Sequence, residues 1–186
     1  NNSLNNIDGL SSLTSIGGNL AIENCPNLYF TTGLSNLQTI GGDLLVHEKD
    51  YTFPNVTTIG GNLVDADFLI GNTDALQNLT TLGGDLFIYG YEEAPDLNSF
   101  SNLETIGGDL YLEELIGIDN LEGFNNLESI GGNLGMWVVQ PNDWSGFNNL
   151  TTIGGSLQIY SCNLPSFNVF SNVANVGGLS FEDLYE

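Results

Sequence analysis

A pair of adjacent glycines recurs eight times along the chain, at Gly17/Gly18, Gly41/Gly42, Gly60/Gly61, Gly83/Gly84, Gly107/Gly108, Gly131/Gly132, Gly154/Gly155 and Gly177/Gly178. Successive first glycines stand 24, 19, 23, 24, 24, 23 and 23 residues apart. That is the period of chains that stack coil on coil rather than closing into a globule. An apolar residue precedes each pair (Ile16, Ile40, Ile59, Leu82, Ile106, Ile130, Ile153, Val176), and another stands three residues earlier (Leu13, Leu37, Val56, Leu79, Leu103, Leu127, Leu150, Val173). After the glycines, apolar residues alternate with period two, as in Leu44/Val46, Leu86/Ile88, Leu110/Leu112 and Leu157/Ile159, the mark of a short strand with one face inward. Only Asp65 breaks that inward row, in the coil with the shortest spacing. The pattern predicts an all-β, right-handed parallel β-helix solenoid of about eight coils of 19–24 residues, with 1–186 as a single domain.

Stacked at about 4.8 Å a step, such coils make a rod roughly 38 Å long. The paired glycines suit a sharp corner feeding a strand, through positive φ and close backbone approach. An Asx column beside the corner (Asn19, Asp43, Asn62, Asp85, Asp109, Asn133) reads as caps on turn N–H groups. Leu76, Phe100, Phe124, Phe147 and Phe170 read as a stacked core column. The asparagines Asn36, Asn55, Asn78, Asn102, Asn126, Asn149 and Asn172 read as a hydrogen-bonded ladder along the rod. Cys25 and Cys162 occupy the same place in coils six steps apart, roughly 29 Å at the stacking distance. A disulfide needs Cα atoms within about 7 Å, so both are expected to be reduced and buried, in a column with Phe68, Tyr91, Leu115 and Val139.

Twenty-three acidic residues face a single base, Lys49, for a formal charge of -22. That field repels nucleic acid and anionic membranes, which need Lys and Arg on the protein. No run of about 20 apolar residues is present to insert into a membrane. Low hydrophobicity usually accompanies such charge in disordered chains, whereas here 41% of residues are apolar and fall in regular columns. No calcium-loop motif occurs, so neither a metal site nor a cofactor is expected, and His47 reads as a lone surface histidine. The sequence opens at Asn1 with NNSLNNIDGL, the tail half of a coil, and stops at FEDLYE after a front half. The expectation is a trimmed secreted piece, or a fragment of a longer array whose ends can associate head to tail.

The motif FxNLxTIGGxLxI, nearly whole in every coil, resembles the receptor L-domain branch of the leucine-rich-repeat-like solenoids. Similar coils build the ligand-binding L domains of insulin- and epidermal-growth-factor-type receptors, fungal cell-wall proteins and many bacterial surface proteins. Leu157, Ile159, Cys162 and Leu164 spell LxLxxCxL, the core of an ordinary leucine-rich repeat, although most coils lack Asn or Cys there and insert the glycine pair. The acidity and the IGGN/IGGD wording are closer to bacterial surface repeats than to receptors. The resemblance implies an extracellular or cell-surface location and binding or adhesion, and it carries no catalytic residue across.

Three function classes follow. The favoured one is a non-catalytic binding, adhesion or structural module with a protein or glycan partner. Its working surface is read from the strand residues that point outward: Phe87, Tyr89, Tyr111, Glu113, Trp137 and Tyr160 gather an apolar patch on a face that is normally polar. Aromatic rings beside an acid suit sugar rings or a protein anchored on Trp and Tyr, and the competing reading is cross-strand stacking that only stabilises the sheet. The second class is an ice-binding solenoid using the column Ser15, Thr39, Thr58, Thr81, Thr105, Ser129, Thr152, which lacks a second rank because Gly17 and its equivalents stand two residues away. The third is a carbohydrate-active β-helix enzyme, for which Glu92/Glu93 and Glu113/Glu114 are the paired carboxylates and better read as solvated charge.

Overall fold

A computed structural model describes residues 3–46, 51–64, 75–90 and 97–185, and it is an all-β parallel solenoid. No α-helix occurs among the described residues. Two-residue strands precede the glycine pairs: β1 (Ser15–Ile16), β3 (Thr39–Ile40), β5 (Thr58–Ile59), β7 (Thr81–Leu82), β9 (Thr105–Ile106) and β11 (Ser129–Ile130). Longer strands follow them: β2 (Leu20–Ile22), β4 (Leu44–Val46), β6 (Leu63–Val64), β8 (Leu86–Tyr89), β10 (Leu110–Glu113) and β12 (Leu134–Trp137). Each set forms its own parallel ladder, and the two merge on β13 (Thr152–Tyr160), which runs unbroken through its glycines and pairs with β14 (Asn175–Glu182).

The registers are those the sequence columns demand, with Ile40 opposite Ile59, Leu110 opposite Leu134 and Leu112 opposite Met136. Identical positions therefore stack into continuous apolar files. Leu37, Val56, Leu79, Leu103, Leu127 and Leu150 are fully buried, as are Leu44, Leu86, Leu110 and Leu134. The aromatic file also holds, with centroids 6.0 Å apart for Phe100 and Phe124, 5.6 Å for Phe124 and Phe147, and 5.7 Å for Phe147 and Phe170. Phe53 and Leu34, at the same distance before their glycines, are buried too. Each anchor of the file sits at the end of a short 3-10 turn where one is formed, as in Thr32–Leu34, Asn98–Phe100, Glu122–Phe124 and Ser145–Phe147. Where glycine precedes the anchor it lies against the coil beneath: a Cβ on Gly123 or Gly146 would run into the carbonyl of Leu97 or Leu121.

The glycine pairs work by close approach and not by positive φ. Among the described glycines only Gly117 has positive φ, at 75°. The corners of neighbouring coils are themselves hydrogen-bonded, as in Gly41 N–H to Ile16 O (2.8 Å) and Gly42 N–H to Gly18 O (3.0 Å). A Cβ on Gly41 would lie 2.6 Å from Gly17 O, and one on Gly61, Gly84, Gly108 or Gly132 would strike the Asx side chain of the preceding coil. Left-handed backbone appears at the opposite end of the strand instead, at Asn24, Glu114, Val138, Ser161 and Asp183, with φ between 50° and 56°. There the chain leaves the sheet, and the same conformation recurs whatever the side chain.

The Asx residues also differ from their expected role, since each serves the next coil rather than its own turn. Asn19 Oδ1 accepts from Asp43 N–H (2.9 Å), Asp43 Oδ1 from Asn62 N–H (2.7 Å), Asn62 Oδ1 from Asp85 N–H (2.7 Å), Asp85 Oδ1 from Asp109 N–H (2.7 Å) and Asp109 Oδ1 from Asn133 N–H (2.6 Å). Asn and Asp alternate except at Asp85 and Asp109, where two carboxylates are adjacent. The asparagine ladder is continuous as well, each amide donating to a main-chain carbonyl one coil earlier, from Asn36 to Ser11 O (2.8 Å) through Asn172 to Asn148 O (2.6 Å).

Both cysteines are free; Cys162 is buried and Cys25, in the outermost described coil, is only half-buried. Leu115 and Val139, from the same column, are fully buried, while Phe68 and Tyr91 lie outside the described residues. Burial pushes the Cys162 thiol up, against hydrogen bonds with the main chain around Val139 and Tyr160. His47, Lys49, Asp65, Glu92 and Glu93 also lie outside the described residues.

Candidate functional site

The outward residues of the long ladder fall into two neighbouring columns. The first runs Ala21, Leu45, Val64 and then Phe87, Tyr111, Gly135, Gln158, with Tyr111 opposite both Phe87 and Gly135. In the second, Glu113 is paired between Tyr89 and Trp137, and Trp137 is paired with Tyr160. All six residues named from the sequence thus come together on one sheet face, because period two places them outward and parallel register places them side by side.

Gly135 determines how the rings meet. A Cβ there would collide with the Trp137 indole and lie 2.5 Å from the Tyr111 ring. The indole therefore leans across the bare backbone of Gly135 from the second column toward the first. It reaches Tyr111 with a centroid distance of 5.2 Å and planes inclined at 48°. On its other side Trp137 stacks on Tyr160 at 5.7 Å, with planes only 10° apart. Phe87 completes the row, 6.3 Å from Tyr111 and at 63° to it. A glycine in mid-strand is the sequence signal for such an approach, yet which ring would use the space depends on a rotamer that spacing does not encode.

Phe87, Tyr111, Glu113 and Trp137 line a shallow open concavity of about 210 Å³. Phe87 is 44% exposed, and the other five residues are half-buried. Polar neighbours hold the rings from below and beside. Asn133 Nδ2 donates to the Tyr111 hydroxyl (3.4 Å) and to Asp109 Oδ1 (3.1 Å), and the Tyr160 and Ser180 hydroxyls share a hydrogen bond of 2.5 Å. Burial first, and then the Asp109 carboxylate, push the Tyr111 phenol above its ordinary value. These polar partners come from the Asx ladder and from β14, neither of which the sequence tied to the aromatic face.

Glu114 does not join Glu113: it sits past the end of β10 in left-handed backbone (φ 55°) and is exposed, so the two carboxylates leave the sheet in different directions. The threonine column does form a straight file on the short ladder, Thr39 to Thr58 to Thr81 to Thr105, one residue wide. Among the described residues no group of three or more His, Cys, Asp or Glu side chains is placed to hold a metal ion, and no helix is long and apolar enough to cross a membrane. Compared with family models, curated proteins and solved structures, the chain matches none of them.

Proposed function

We propose that this protein is a non-catalytic binding module of the extracellular or cell-surface kind, and that it holds a glycan or protein partner on the aromatic face of β8, β10, β12 and β13. The likeness of its coils to L-domain and leucine-rich-repeat-like surface repeats supports that location and role. The observation that carries the reading is the row Phe87, Tyr111, Trp137 over Gly135. Position 135 carries no side chain, and the Trp137 indole leans over it beside an open concavity, which supports a binding role for the row. Ring pairs at these separations contribute about 0.5–1.5 kcal/mol each to stability. Stacking therefore accounts for part of the arrangement, but not for leaving Phe87 and the mouth of the concavity in water.

The test separates the two contributions. Trp137→Ala and Tyr111→Ala, each with an unchanged circular-dichroism spectrum, are expected to lose capture on a glycan array or from the native surface by tenfold or more, in line with aromatic anchors worth about 2 kcal/mol. Their melting temperatures should fall by only a few degrees. Unchanged capture accompanied by a large fall in melting temperature would return this face to a purely structural role.

A further inference from the structure

The shape and charge of the concavity narrow the partner's chemistry. Its ring walls are not coplanar: Phe87 and Tyr111 are inclined at 63°, Tyr111 and Trp137 at 48°. A pyranose lies best on one flat ring face, and rings inclined to one another in this way offer no single flat platform. Glu113 stands two residues beyond Tyr111 on the same face of β10 and supplies a carboxylate to the concavity. Among the described residues nothing donates a hydrogen bond to this carboxylate or pairs with it. The whole chain offers one Lys and no Arg to neutralise it, against 23 acids.

We infer that the concavity receives a cationic side chain, the ammonium of a lysine or the guanidinium of an arginine, presented by a protein partner. The inference rests on the aromatic-face reading above and adds the class of group that is bound. A cation within about 6 Å of an aromatic centroid is held by the ring quadrupole, by about 0.5–2 kcal/mol according to how far it is desolvated. Tyr111 is the middle ring of the row, with centroids of Trp137 and Phe87 at 5.2 and 6.3 Å, so a cation seated over it has an aromatic neighbour on either side. Glu113 adds a charge-assisted hydrogen bond. The acid field acts in the same sense: the Asp109 and Asp85 carboxylates contribute, after burial, to holding the Tyr111 phenol protonated, so negative potential reaches the ring itself. At about 210 Å³ the concavity is smaller than the usual range for sites that enclose a free ligand, and it is open on one side. It fits the tip of one anchoring residue carried on a larger surface.

The test uses the whole chain and two blocked peptides of Gly and Ser with one central residue, arginine in one and its neutral isostere citrulline in the other. Both are followed by NMR of the aromatic ring signals at about 0.15 M salt, where charges beyond roughly 8 Å are screened. The arginine peptide should shift Phe87, Tyr111 and Trp137 saturably, and the citrulline peptide should not. Glu113→Gln should weaken the interaction roughly tenfold, while Glu128→Gln, on an exposed acid away from the face, leaves it unchanged. Shifts spread evenly over the acidic surface, or equal affinity in Glu113→Gln, would overturn the cation assignment. So would neutral oligosaccharides that shift the same rings while the arginine peptide does not. If Trp137→Ala loses the native partner but the arginine peptide fails to bind, the cation assignment falls and the aromatic face stands; if neither effect is seen, both fall.

Discussion

Even a methyl group is too large for most of the paired glycines, and the first coil shows why. Gly17 and Gly18 have nothing within 4 Å of where a Cβ would sit, because among the described residues no other corner lies beneath theirs. Every later pair meets a carbonyl or an Asx oxygen at that place. Gly18→Ala and Gly108→Ala thus make the same chemical change in the same motif with different neighbours. Gly108→Ala should cost about 1–3 kcal/mol, since it displaces Asp85 Oδ1 from Asp109 N–H, while Gly18→Ala should stay within about 0.5 kcal/mol of the native chain. Urea melts of the two variants measure the difference, and equal losses would mean that the corner needs glycine for its own conformation. The recurrence of the pair was legible in the sequence, but its cause was not. Positive φ is a local property that a motif can suggest, and contact with the coil below is made across a whole coil of sequence.

At the scale of the element, the strands were readable because period two and parallel stacking both follow from apolar spacing. The corners that end them were not, because Asn24, Glu114, Val138, Ser161 and Asp183 share a left-handed backbone without sharing a side-chain type. Coil closure imposes that conformation on whichever residue stands there. The cost is greatest at Val138, where a β-branched side chain is held at φ 56° while its N–H bonds Tyr160 O at 3.0 Å. Val138→Asn copies the residue type of the first-coil corner, Asn24, and is expected to raise stability by about 0.5–1 kcal/mol, read as a higher melting temperature. The 3-10 turns escaped the sequence reading for a related reason: Gly123-Phe124 and Gly146-Phe147 look like anchors after loops until the carbonyls of Leu97 and Leu121 show why glycine stands before those two rings. The aromatic face was visible as a list of residues. Its concavity was not, since that depends on the Trp137 rotamer over Gly135.

Across the whole molecule, charge sets how the fold responds to its medium. With -22 on a single solenoid, and Asp85 and Asp109 at the same corner of neighbouring coils about 5 Å apart, self-repulsion opposes the fold at low salt. Raising sodium chloride from about 0.01 M to about 1 M shortens the screening length from roughly 30 Å to roughly 3 Å. The melting temperature should therefore climb, most steeply at the low end. A melting temperature independent of salt would show that the Asx hydrogen bonds have already offset the repulsion.

The two polar ladders also decide which parts of this chain can be copied. In both, the later coil supplies the donor and the earlier coil the acceptor. Gly178 is followed directly by Leu179 with no Asx between, and the first coil carries Ser12 where later coils carry the ladder asparagine. Two copies of this 186-residue stretch set end to end would meet through Phe167, Leu179 and Phe181, which are exposed, with neither ladder bond across the join. An interior coil such as 109–132 brings its own Asp109 and Asn126, so duplicating it in place continues both ladders. Lengthening by internal duplication is thus chemically simpler for this rod than joining copies of this stretch end to end.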